Sequence, residues 1–238
     1  MRACSGTWIA HGSGTADRDT VDAYDHVRVP PGKEQYTLRR IWMTAAEEQG
    51  YYYGFSNEGL WPLCHIAHIR PVFRNEDWES YMTVNHRFAE AVAEEAKTED
   101  PLVLVQDYHF ALLPQMIREL LPRATIITFW HKPWPNPEAF SICPWKEELL
   151  AGLLGSTIVG FHTRFHCRNF LSTVDRYLEA RIEQETSTIM RRGQMTLVES
   201  YPISIQWPTE GNWPSVEECR KGICNLLGIP YDSFIGLG

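Results

Sequence analysis

The sequence predicts an α/β protein of the doubly wound, Rossmann-like class, built on a parallel sheet. Three observations carry that prediction. Short apolar runs at 102–106, 124–130 and 157–161 suit buried parallel strands, helical spacing fills the intervals between them, and the alternation gives a β-α-β-α-β-α succession. With 238 residues, 44% of them apolar, the chain has ample material for a core.

In chain order, residues 6–11 and 26–29 read as extended, and Pro30-Pro31-Gly32 punctuates the chain after the second. Residues 36–43 read as a further strand. The stretch 51–65 crowds Tyr51-Tyr52-Tyr53, Phe55 and Trp61 with Ser56 and Asn57 around Gly54 and Gly59. It has two readings: an aromatic core strand and turn, or a sugar-binding surface. In the second, rings cover the apolar face of a pyranose, polar groups bond its hydroxyls, and glycine lets the backbone approach closely.

Between 78 and 96 the residues Trp78, Tyr81, Met82, Phe88, Ala89, Val92 and Ala96 keep helical spacing, which predicts a long amphipathic helix ending before Asp100-Pro101. The acidic group Glu94, Glu95, Glu99 and Asp100 reads as a solvated helix end. Helices follow at 111–121, stopped by Pro122, then at 147–154 and 164–177. Residues 215–227 read as a helix and 234–238 as a strand.

Composition narrows the function. No run of about 18 apolar residues and no signal-peptide layout occurs, so neither membrane insertion nor secretion is indicated, and the cytoplasm is the predicted location. The six cysteines, at 4, 64, 143, 167, 219 and 224, form no C-x-x-C pair, which argues against a disulfide framework or a zinc ribbon and for reduced packing residues. A net charge of -8 disfavours nucleic acid and acidic membranes.

Ligands of open α/β sheets bind beyond the carboxyl ends of the strands. Three predicted strand ends empty into ionisable or aromatic groups: Asp107-Tyr108-His109, His131-Lys132-Pro133-Trp134-Pro135 and His162-Thr163. A lone Asp there is as often a helix cap and a lone His a structural hydrogen-bonder, but three strand ends agree. Two weaker signals read as structure. His11-Gly12-Ser13-Gly14 is a turn lacking the full phosphate-loop pattern, and His162, His166 and Cys167 lack further ligands, so no metal is assigned.

Across nearly the whole chain come, in order, Gly54-Phe55-Ser56-Asn57 through Leu60-Trp61-Pro62 and His65, Val105-Gln106-Asp107-Tyr108-His109, Leu113-Pro114, His131 with Pro133-Trp134-Pro135, Glu138 and Phe140, Gly160-Phe161-His162-Thr163, Asn169-Phe170-Leu171 and Tyr201-Pro202-Ile203. This ordered set closely resembles the trehalose-6-phosphate synthase family. The form Phe129-Trp130-His131 through Pro137-Glu138-Ala139-Phe140 also resembles the branch containing glucosylglycerol-phosphate synthases.

That resemblance implies a two-lobe GT-B fold and a retaining glycosyltransferase. Residues 1–208 then form an incomplete N-terminal, acceptor-side lobe lacking its first strand, and 209–238 a connecting segment, helix and opening strand of a donor lobe. It implies that Tyr52 and Trp61 line the acceptor pocket, Asp107 bonds acceptor hydroxyls, His131 lies near the donor glucose and Trp8 lies close to the cleft. Asp107 as a covalent nucleophile is the lesser reading. Lys132 departs from the family's apolar residue, and its charge either meets phosphate or, by preference, points to solvent.

The implied reaction moves glucose from a nucleotide-glucose such as UDP-glucose to glucose 6-phosphate, or to glycerol 3-phosphate in the related branch, without a cofactor. The isolated chain is expected to transfer no glucose. The alternative is a non-catalytic sugar-phosphate-binding module. A homo-oligomer stays open.

Overall fold

The structure, a computed structural model, describes residues 6–14, 17–205, 211 and 213–236. It divides into two units, Met1–Pro202 and Ile203–Gly238.

The first unit begins with strand β1 (Thr7–His11), the helical turn α1 (Asp17–Thr20), β2 (His26–Val29) and β3 (Tyr36–Ile41). The three predicted strands form a sheet of their own in the order β1-β3-β2, with β1 parallel and β2 antiparallel to β3. Thr44 and Glu47 cap each other's backbone and start α2 (Ala45–Glu48).

The aromatic stretch that follows is helical, where the core reading had a strand and turn. A π-helix (Gln49–Leu60) runs into α3 (Trp61–His65). Its wide turns are pinned by i+5 bonds, from Ser56 Oγ to the Tyr51 carbonyl at 2.7 Å and from the Trp61 N–H to the Ser56 carbonyl. Tyr51, Phe55 and Leu60 face the core, while Tyr52, Tyr53 and Trp61 stay outside. Gly54 serves packing: a Cβ there would stand 2.4 Å from the Asp77 carboxyl carbon.

Asp77 belongs to α4 (Asn75–Glu95), which buries Trp78, Tyr81, Val84 and Phe88. At the acidic end of α4, Glu94, Glu99 and Asp100 are exposed as expected, and Glu95 is the exception. Glu95 accepts from Thr7 Oγ1 at 3.0 Å, His26 Nε2 at 2.6 Å and Arg39 at 3.2 Å, and Glu94 also takes Arg39, so the pair ties the helix to the small sheet.

The larger sheet holds β4 (Leu102–Gln106), β5 (Thr125–Phe129), β6 (Ile158–Phe161), β7 (Arg181–Glu183), β8 (Thr188–Arg191) and β9 (Gln194–Ser200). Its order is β4-β5-β6-β9-β8-β7, parallel through β9 and antiparallel beyond. The parallel α/β core is as the sequence predicts. The β7–β9 strands add to that core beyond the sequence reading: β7 and β8 are short and mostly polar, and β9 breaks its apolar residues with Thr196 and Glu199.

Helices α5 (Leu113–Leu120), α6 (Pro137–Phe140), α7 (Lys146–Leu153) and α8 (Arg164–Tyr177) complete the unit. Because β4, β5 and β6 advance in one direction, right-handed crossovers put α5 and α7 on one face. The row Val105, Thr128, Val159 and Val198 is buried there. The next row, on the other face, is Leu104, Ile127, Ile158 and Leu197, with Leu104 61% exposed. The prediction that 102–106 is a buried strand is therefore corrected: β4 is a sheet edge, and Leu102 is 66% exposed.

In the second unit α9 (Val216–Leu227) opens on a Ser215–Glu218 capping box and ends at Gly228 with φ 64°. Residues 234–236 of the predicted final strand are not in a strand, and Leu237 and Gly238 lie outside the described residues. Cys64, Cys143, Cys167 and Cys224 are buried free thiols, and Cys219 is exposed. Among the described residues no helix is long and apolar enough to cross a membrane.

Candidate functional site

Register aligns the strand ends. Gln106 of β4 pairs with Phe129 of β5, which pairs with Gly160 of β6. Asp107 thus lies one residue past this row, and His131 and His162 two residues past it. The rings of His131 and His162 are 5.8 Å apart, each edge-on to Phe129 at 4.6 and 5.0 Å.

Asp107 has φ 70° and ψ 177°, a backbone region that side chains normally leave to glycine and that costs roughly 1–3 kcal/mol. The strain is held by its N–H, bonded to the Phe129 carbonyl at 2.8 Å, and by its carboxylate, whose Oδ1 accepts the His131 N–H at 3.1 Å. Oδ2 lies 3.7 Å from Lys132 Nζ, which also sits over the Tyr108 ring at 5.5 Å. Lys132 is therefore folded onto Asp107 and not directed to solvent. His131 Nε2 is 2.8 Å from Gln106 Oε1, which leaves Nδ1 as the ring's acceptor when the imidazole is neutral.

The aromatic wall meets this edge through the segment after Asp107. Tyr52 stacks on His109, and the Tyr108 hydroxyl donates to Asn57 Oδ1 at 2.7 Å. Burial holds the His109 imidazole down at about 4, with Asp107 pulling the other way, and its Nε2 is buried without a hydrogen-bond partner. Burial also pushes the Tyr108 phenol up. Trp61 is half-exposed and packs on His65 with centroids 4.2 Å apart.

Of the residues singled out from sequence, Asp107 and His131 touch through side chain and backbone, and Tyr52 stacks on His109, two residues after Asp107. Trp61 lies further along the same helical run. Trp8 is on β1 in the separate small sheet, half-exposed, and among the described residues its ring meets none of the other candidate rings. Gln106 carries no role in the sequence reading, and Asn57 is read there as a group for sugar hydroxyls. Only the fold shows that one orients His131 and the other orients Tyr108.

His166 is structural, its Nδ1 3.2 Å from the Trp134 N–H. Burial pushes the neighbouring Cys167 thiol up to about 11. Among the described residues no three His, Cys, Asp or Glu side chains are grouped to hold a metal ion. The edge offers instead a carboxylate with a nearby cation, imidazole nitrogens and ring faces, a set suited to a polyhydroxylated anionic ligand.

A family profile, glycosyltransferase family 20, matches residues 2–216. A trehalose-6-phosphate synthase of Mycolicibacterium gilvum is 39% identical over 247 residues, covering 100% of this chain and 48% of its own. Among solved structures, a UDP-forming α,α-trehalose-phosphate synthase from Burkholderia vietnamiensis superposes with TM-score 0.71 at 27% identity, over 84% of this chain and 42% of that one. A Burkholderia xenovorans enzyme of the same description, in complex with glucose-6-phosphate, gives TM-score 0.70 at 24% identity, over 84% and 43%. The chain spans about half the length of the curated relatives it matches.

Proposed function

The chain belongs to glycosyltransferase family 20, and from that membership we propose that it provides the acceptor side of a retaining transfer of glucose from a nucleotide-glucose to glucose 6-phosphate. The observation that carries this reading is the strained Asp107 carboxylate at the carboxyl edge of the sheet, beside Lys132 and next to the Tyr52–His109 stack. Strain at a strand end marks a side chain aimed for use.

In this reading Asp107 accepts a hydrogen bond from the acceptor hydroxyl, while Tyr52 and Trp61 cover the sugar's apolar faces. Lys132 offsets the repulsion between the carboxylate and the acceptor's phosphate. His131 borders the donor glucose, with its ring orientation set by Gln106. The acceptor oxygen bonds to the anomeric carbon as the bond from that carbon to the diphosphate breaks, through an oxocarbenium-like state, and the hydroxyl proton passes to the departing diphosphate. The Burkholderia xenovorans relative in complex with glucose-6-phosphate supports that compound as acceptor, and the reading places the chain in the cytoplasm. Residues 1–208 are then the acceptor-side lobe.

Calorimetric titration with glucose 6-phosphate and glycerol 3-phosphate tests the reading. Glucose 6-phosphate binds, and Trp61→Ala and Asp107→Asn each weaken it at least about tenfold. Tighter binding of glycerol 3-phosphate moves the acceptor to that compound. Binding indifferent to both substitutions removes the site.

A further inference from the structure

A second concave surface lies at the other edge of the sheet. Helices α5 and α7 end there and the turn from β8 to β9 closes it, whereas Asp107 and His131 lie past the carboxyl ends of the same parallel strands. The cavity measures about 410 Å³, within the size of small-molecule sites, and its lining includes Arg118, Arg191 and Arg192 against one carboxylate, Glu119. In a chain of net charge -8 this is a local reversal of sign.

The three guanidinium groups differ in state. Arg118 is fixed by the carbonyls of Gly155, Pro122 and Ala124 at 3.2, 2.8 and 2.7 Å and by Thr157 Oγ1 at 3.1 Å, so its charge is immobile and unneutralised. Arg191 is half-buried at the end of β8. Among the described residues neither Arg191 nor Arg192 has a carboxylate partner, whereas Arg123 has Glu99 and Arg176 has Glu138. Burial, and then the neighbouring Arg192, hold the Arg191 guanidinium below its ordinary value, which is the state an anion would relieve.

The turn itself is preset. Arg192 and Gly193 have φ 49° and 81°, the paired left-handed conformation of a two-residue hairpin turn, where Asn or Asp is the favoured first residue and an arginine stands instead. Glu119 is engaged by Gln115 Nε2 at 3.0 Å.

We propose that this cavity binds the phosphoryl group of a small phosphorylated ligand through the forked donors of Arg191 and Arg192, with Arg118 as a fixed positive charge. Guanidinium forks match phosphate oxygens in pairs, and the half-buried Arg191 beside the exposed Arg192 gains from a multivalent oxyanion. The site is independent of the acceptor reading of the Asp107 edge.

The test is calorimetry of the 238-residue chain with inorganic phosphate and pyrophosphate, carried out in a Lys132→Met background so that the other edge keeps its carboxylate and offers phosphate no cation. Phosphate binds and weakens at least about tenfold in Arg191→Gln/Arg192→Gln, while Glu119→Gln tightens it by removing the opposing charge. The Glu119→Gln arm guards against a fold defect in the double variant, because a gain in affinity requires an intact cavity. Absence of phosphate binding, or affinity unchanged by both sets of substitutions, overturns the proposal.

Discussion

Tyr52 lies flat against His109, with ring planes 6° apart and centroids separated by 5.2 Å. The contact links the exposed aromatic wall to the residue two positions after Asp107, so whatever alters His109 alters the wall. A protonated imidazole there would place an unsolvated charge among Tyr51, Tyr52 and Tyr108.

The first prediction is a pH dependence of stability. His109 titrates at about 4 in the fold against 6.5 as its reference value, so the unfolded chain binds the extra proton between those limits. Stability is full above about pH 6.5 and falls as pH drops towards 4, by up to about 3 kcal/mol. Urea unfolding at pH 7, 6, 5 and 4 measures it. His109→Gln, which cannot titrate, should flatten that part of the curve, and an unchanged slope would show that other groups carry it.

The second concerns strain at Asp107. Glycine accepts φ 70° and ψ 177° without steric strain, relieving about 1–3 kcal/mol, but it loses the bond to the His131 N–H, about 1 kcal/mol, and costs about 0.5–1 kcal/mol more in chain entropy. Asp107→Gly should therefore leave stability within about 1 kcal/mol of the parent and abolish sugar-phosphate binding, whereas Asp107→Ala, which keeps the strain and loses the same bond, should be less stable than Asp107→Gly. An alanine variant as stable as the glycine variant contradicts the assignment of strain.

The third separates charge from packing at Lys132. Its pair with Asp107 is partly exposed and 3.7 Å long, so Lys132→Met should change stability by less than about 1 kcal/mol. Affinity for glucose 6-phosphate should fall about tenfold, because the phosphate then meets the carboxylate without a cation. Affinity for glucose, which has no phosphate, should hold. Equal losses for the two sugars would make Lys132 a packing residue.

Legibility of the fold followed the local apolar pattern and not the burial that results. The strand 102–106 and the helix 164–177 were readable to the residue because each is a continuous apolar or amphipathic pattern. The π-helix was not, since Tyr51, Phe55 and Leu60 repeat at four and five residues, a spacing that belongs to neither strand nor α-helix. At the site, the strand-end rule located Asp107 and His131, and family likeness supplied their roles. The positions of Lys132 and His109 depend on three-dimensional contacts, for which a sequence holds no local signal.

The last prediction starts from the open sheet face. The run Leu102-Val103-Leu104-Val105 is apolar on both sides, as suits a strand covered on both faces, yet only Val103 and Val105 turn to the core. Leu102 and Leu104 face outward, and among the described residues β4 pairs with β5 alone. An open edge beside an apolar face favours association between chains. Leu104→Lys removes apolar surface from water without opening a cavity, so it should cost less than about 0.5 kcal/mol while suppressing concentration-dependent self-association in sedimentation velocity. The buried neighbour supplies the contrast. Val105→Lys places a charge in the packed row with Thr128 and Val159 and should unfold the chain. If Leu104→Lys is as damaging as Val105→Lys, the outward face of β4 is covered in solution.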